Sequence, residues 1–88
     1  MHKLRKVLEQ IHKELEAAED YIECALISDD ERKDVYKSLS RDELAHAEKL
    51  MNMCEKHVEE DKKLIWEFEK DMLKHRHLTL KTKFSHVE

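Results

Sequence analysis

The chain contains no glycine and no proline. Without the two residues that most often make turns and break helices, an architecture of many short strands and tight turns is not expected. Aromatic residues are only 6% of the sequence, within a hydrophobic fraction of 40%. That is a lean core for an independent monomer, and it points to some apolar surface being covered by another chain. The two cysteines, Cys24 and Cys54, are thirty positions apart and form no Cys-x-x-Cys pair, so neither a zinc site built on cysteine nor a dithiol redox motif is expected. Two isolated thiols at helix surfaces or interfaces fit a reducing, cytoplasmic setting. No apolar run approaches the roughly 20 residues of a membrane span, and the N-terminus lacks the apolar stretch of a signal peptide. The formal charge is −4 with both signs interspersed, so no nucleic-acid surface is expected. The locally basic end (Lys74, Arg76, Lys81, Lys83) has no interleaved aromatics to change that reading.

What remains is a chain of 88 residues with 43% charged residues and few β-branched ones. This composition predicts one all-α domain over 1–88, made of long amphipathic helices. A first helix is expected over about residues 3–27, with Leu4, Val7, Leu8, Ile11, Leu15, Ala18, Tyr21, Ile22 and Ala25 recurring every three or four positions. Ser28-Asp29-Asp30 makes a short polar break with N-cap residues, which favours an antiparallel hairpin. A second helix is expected over about 30–57, its stripe reading Val35, Leu39, Glu43, His46, Leu50, Met53 and His57. The charged run 58–63 fits a bend, a loop or continuous helix alike. A third helix is expected over about 61–80, with Leu64, Ile65, Phe68 and Met72 on the packed side, Trp66 away from it, and a frayed tail over 81–88.

Three ionisable residues fall on these apolar stripes. At about 100° per residue, Glu14 lies about 20° from Val7 and Tyr21, whereas the other acids of the first helix lie more than about 100° from it. On the second helix Glu43 and His46, three residues apart, lie within roughly 40° of Leu39 and Leu50 and are expected to face the core. A buried carboxylate is costly unless paired or bound to a metal. Two Glu oxygens and a His nitrogen suit iron, manganese or zinc. The plain alternative is a buried polar pair in which His46 donates to Glu14 or Glu43. His57 reads as a core-edge residue, His75 and His77 as partners of the third helix's C-terminal dipole, and Met51, Met53 and Met72 as core filler. Asp61 and Glu31 are weak candidates for acids near the site.

Glu14-Leu15-Glu16-Ala17-Ala18-Glu19-Asp20-Tyr21 resembles the first-helix motif of rubrerythrin and ferritin-like proteins, in which a ligand Glu is followed by small residues and then Tyr seven positions on. Asp42-Glu43-Leu44-Ala45-His46-Ala47-Glu48-Lys49-Leu50 resembles their second-helix motif, in which Glu and His bind iron. The likeness covers about residues 10–52. It implies Glu14, Glu43 and His46 as metal ligands and catalytic residues, with Tyr21 a close neighbour. Ordinary members carry two such half-sites and this chain carries one, so it is similar to the encapsulated ferritins, short chains that complete the site across a dimer. The resemblance thus implies a homodimer, or a higher even-numbered oligomer, closing a ferritin-like four-helix bundle around two irons per dimer. The implied activity is a ferroxidase-type oxidation of Fe(II), or reduction of peroxide by the same ligands. Leu78-Thr79-Leu80 bears a short likeness to a shell-targeting tail, and a protein shell would be the corresponding partner. The missing Cys-rich iron domain argues against a complete rubrerythrin. A metal-free or zinc-bound helical interaction module is the alternative, and it accounts for the lean core and high charge equally well.

Overall fold

The computed structural model describes residues 3–87. Among them there are three long helices and no strand: α1 (Leu4–Ile27), α2 (Arg32–His57) and α3 (Lys63–Ser85), with a 3-10 turn at Glu60–Lys62 leading into α3. They run up, down and up in a rod of 49 × 18 × 16 Å. Cross-helix contacts fix these directions. Tyr21 on α1 meets Tyr36 on α2, while Trp66 and His77 on α3 reach Glu55 and Leu44 on α2.

The turns show how a chain without glycine stops its helices. With no residue suited to the left-handed cap, α1 and α2 end by turning extended, at Ser28 (φ −92°, ψ 140°) and Val58 (φ −62°, ψ 133°). Ser28 closes the end of α1 with its own hydroxyl, which donates to the Cys24 carbonyl at 2.7 Å. Asp30 then does the work of a cap, its carboxylate accepting the Arg32 backbone N–H at 2.9 Å and pairing with the Arg32 guanidinium. α2 therefore begins at Arg32, two residues later than the sequence suggests. Between α2 and α3, Val58 and Glu59 are both extended, which answers the open question over 58–63: the chain bends there.

The core is laid down by α1. Leu4, Ile11, Leu15, Ala18, Ile22 and Ala25 are buried, at steps of seven, four, three, four and three, a seam close to a coiled-coil pattern. α2 contributes Leu44, Ala47, Met51 and Cys54, and α3 contributes Trp66, Leu73 and Leu80. Burial in this cluster raises the Cys54 thiol above its ordinary value, while Cys24 is half-buried.

Several sequence expectations are corrected here. The stripe expected to face the core on α2 is rotated outward: Val35, Leu39 and Met53 are exposed, and Leu44, Ala47, Met51 and Cys54 lie inside instead. On α3 the expected packed side, Leu64, Ile65, Phe68 and Met72, is exposed, and Trp66 is among the most buried side chains at 1%. Its indole N–H donates to Glu55 on α2 at 2.7 Å, and that bond, with Lys70 nearby, holds the Glu55 carboxyl below the ordinary carboxylate range. His77 does not serve the helix terminus. It is buried, and its Nε2–H donates to the Leu44 carbonyl at 2.8 Å. The stretch expected to fray is helix as far as Ser85, because Phe84 and Val87 pack against the core and the Arg41 guanidinium sits 5.7 Å from the Phe84 ring centre. The final residue, Glu88, lies outside the described residues. Leu78-Thr79-Leu80 is likewise helix interior, with Leu80 buried.

α3 covers one side of the α1–α2 hairpin. It is tied there by Arg76 to Glu19 (4.0 Å) and Lys83 to Glu23 (3.7 Å) on α1, and by His77 to Leu44 on α2. Around α1, Glu14 lies roughly 140° from Glu19 and about 180° from Glu23, and around α2 His46 lies roughly 160° from Leu44. The hairpin face that carries Glu14 and His46 is therefore the one α3 leaves open.

Candidate metal centre

On that open face Glu14, Glu43 and His46 come together, and one ligand atom from each lies within 4.8 Å of the others. Helical spacing explains the pairing of Glu43 with His46, one turn apart on α2. The antiparallel hairpin brings Glu14 across from α1. His46 Nδ1 stands 3.7 Å from Glu14 Oε2 and 3.8 Å from Glu43 Oε1. Those separations are too long for well-formed hydrogen bonds. A metal bound at about 2.0–2.2 Å draws its donors closer together than these separations, so the three side chains would contract around it on binding.

The electrostatics are those of two carboxylates sharing one proton. Glu43 is pushed up to about 7, first by its hydrogen bond to Glu14, then by partial burial and by the Glu14 charge. Glu14 is held below the ordinary carboxylate value, chiefly by accepting that same bond; Gln10 and the nearby imidazole add to the effect against a penalty from burial. Gln10, one turn earlier on α1, donates to Glu14 Oε1 at 2.6 Å and fixes the carboxylate's orientation. The pair thus relieves its surplus negative charge with a proton, a role that a di- or trivalent cation fills more completely. Two oxygen donors and an imidazole fit iron, manganese or zinc.

Burial differs from the sequence expectation. The Glu14 and Glu43 side chains are 15% and 23% exposed, but that of His46 is 54% exposed, so the imidazole faces outward from this chain. Tyr21 lies on the same face of α1, two turns on from Glu14, with its ring stacked on Tyr36 at 6.4 Å. The expected neighbour of the site is thus engaged in an aromatic pair bridging the two helices. His57 is exposed at the end of α2, Glu31 precedes α2, and Asp61 lies in the 3-10 turn; none belongs to the three-residue group. Gln10 and Tyr36 were not singled out by sequence reasoning. Both carried a signal, since Gln10 precedes Glu14 by four residues and Tyr36 precedes Glu43 by seven, each on the open face.

Comparison of the chain with family models, with curated proteins and with solved structures finds no match.

Proposed function

We propose that this chain carries half of a di-iron carboxylate site, and that two chains close their open hairpin faces over one another to complete a four-helix bundle around two metals. The observation that carries this reading is a Glu–Glu–His donor group on the side of the hairpin that α3 leaves uncovered. Two copies would supply four carboxylates and two imidazoles, the donor complement of a ferritin-like site. Val35, Leu39 and Met53 lie on the same face of α2 and are 56%, 36% and 37% exposed, an apolar rim that a second copy would cover.

Iron held by Glu14, Glu43 and His46 would supply one electron per Fe(II); two electrons and two protons from solvent take O2 to H2O2, or H2O2 to two waters. The chain's own contribution is binding and charge. Glu14, oriented by Gln10, and Glu43 neutralise the cations, and Glu43 gives up the proton it shares with Glu14 when a metal enters. His46 supplies the nitrogen donor. The apolar rim, once covered, keeps bulk water away from the donors.

Anaerobic Fe(II) followed by measured O2 or peroxide tests this reading. Oxidation should be faster than for free Fe(II) and should fall to the background rate in Glu43→Ala and His46→Ala. Wild-type protein that oxidises Fe(II) no faster than buffer would refute it. A redox-silent protein that binds zinc through the same three residues would instead favour the zinc-bound module, a reading kept in view because this donor set also suits zinc.

A further inference from the structure

The outer face of α3 carries a second apolar surface that the metal site does not use. Leu64 and Phe68 are each 82% exposed, Met72 54% and Ile65 49%. They fall within roughly 100° of arc and lie about 100° or more from Trp66, which points to the core. At about 200 Å² for a large side chain, the stripe presents on the order of 500 Å², near the upper end of what a monomer usually exposes in one patch. Leu64, Phe68 and Met72 face away from the hairpin, while Ile65 borders the groove between α3 and α1 beside Leu4 and Leu8, so pairing of the hairpin faces would leave the first three uncovered.

We infer that this stripe is a self-interface, on which α3 of one chain packs antiparallel against α3 of a second copy. Two arguments select that occupant. Two such stripes facing each other supply on the order of 1,000 Å², the threshold at which a protein interface becomes specific. The charges along the helix also select the direction. Around Phe68, residues 59–67 hold four acids and two lysines, whereas 69–77 hold two acids against Lys70, Lys74 and Arg76, of which Arg76 also lies 4.0 Å from Glu19 of its own chain. Parallel helices would set like charges side by side. An antiparallel pair crossing at Phe68 sets the net-negative 59–67 of each chain against the net-positive 69–77 of its partner, with Leu64 facing Met72, Glu60 facing Arg76 and Asp61 facing His75, although Lys62 meets Lys74 and Glu67 meets Glu69, and it also opposes the helix dipoles. Such a contact is isologous. It does not depend on the metal reading. Where hairpin pairing also occurs, it links dimers into larger even-numbered assemblies.

The test is native mass with Leu64→Glu and Phe68→Glu, each made alone in the full chain. Both positions are exposed, so helical content by circular dichroism should match wild type. The expected result is an at least two-fold fall in assembly mass in both variants, with iron per chain unchanged. Mass unchanged in both would overturn the inference. The direction is tested by mixing Leu64→Cys chains with Met72→Cys chains, each in a Cys24→Ser background, which leaves only the buried Cys54 as a second thiol. An antiparallel pair crossing at Phe68 cross-links the two kinds of chain to each other under mild oxidation, whereas a parallel pair would cross-link each kind to itself. Failure to cross-link, in protein whose assembly mass matches wild type, would overturn the antiparallel arrangement.

Discussion

Glu43 is the residue on which the chemistry of the open face turns. Its proton is held by the neighbouring Glu14 carboxylate, and Glu43 titrates near 7 in the folded chain against about 4.5 when free. Between those values the folded protein holds a proton that the unfolded chain has released. The contribution of Glu43 to stability is therefore greatest below about 4.5 and declines as pH rises to about 7. Glu14, lowered, contributes in the opposite sense: its share is present above its ordinary value and lost as acid protonates it. Glu43→Gln keeps a donor beside Glu14 and removes the titration. Wild type should lose melting temperature from about pH 5 to pH 7, and the metal-free variant should not. An unchanged pH profile would mean that the shared proton is not held at Glu43. Metal entry displaces the same proton, so affinity should weaken as pH drops below about 7, and calorimetry near pH 6 in buffers of different ionisation enthalpy should register proton release.

Elements differ in how readily the sequence discloses them. α1 is legible because its large apolar residues share one seam and its acids, Glu14 excepted, lie elsewhere; Leu15, Ile22 and their neighbours are buried as their spacing suggests. α2 and α3 each carry two apolar stripes, and periodicity cannot tell which one its own chain covers. On α2 the eye is drawn to Val35, Leu39, Leu50 and Met53, yet the smaller side chains of Ala47 and Cys54, with Leu44 and Met51, allow close helix packing and form the interior. On α3 Leu64, Ile65, Phe68 and Met72 are outside, because Trp66, Leu73, Leu80 and Phe84 make a longer stripe that engages the hairpin. Two measurements check these assignments. Leu15→Ala should cost about 2–5 kcal/mol in chemical denaturation, a large part of the roughly 5–15 kcal/mol that a domain has. Trp66→Phe removes the donor to the partly exposed Glu55 and should lower the denaturation midpoint. A negligible effect of Trp66→Phe would contradict the docking of α3 on α2 through this bond.

At the scale of the whole molecule the chain has more apolar surface than its three helices cover. Val35, Leu39 and Met53 lie on the same face of α2 as Glu43 and His46, and Leu64, Ile65, Phe68 and Met72 are exposed on α3. The donor group itself was legible, since three ionisable residues sat on apolar stripes of two helices joined by a short turn. Its outward aspect was not, because a stripe reads the same whether the covering surface belongs to the same chain or another. Leu39→Glu separates the two faces experimentally. It places a charge beside the donor group without removing a ligand, and it should lower both iron per chain and assembly mass, whereas Phe68→Glu should lower mass alone. Iron retained at full occupancy in a monomeric Leu39→Glu protein would show that one chain suffices.

The most direct measurement is iron per chain after anaerobic Fe(II) loading, with oligomeric mass determined on the same sample. A site shared between two copies gives about one iron per chain in an even-numbered assembly, and His46→Ala loses it. Iron-free protein whose mass and thermal stability are the same with and without a chelator would contradict a shared di-iron site and leave a helical interaction module in its place.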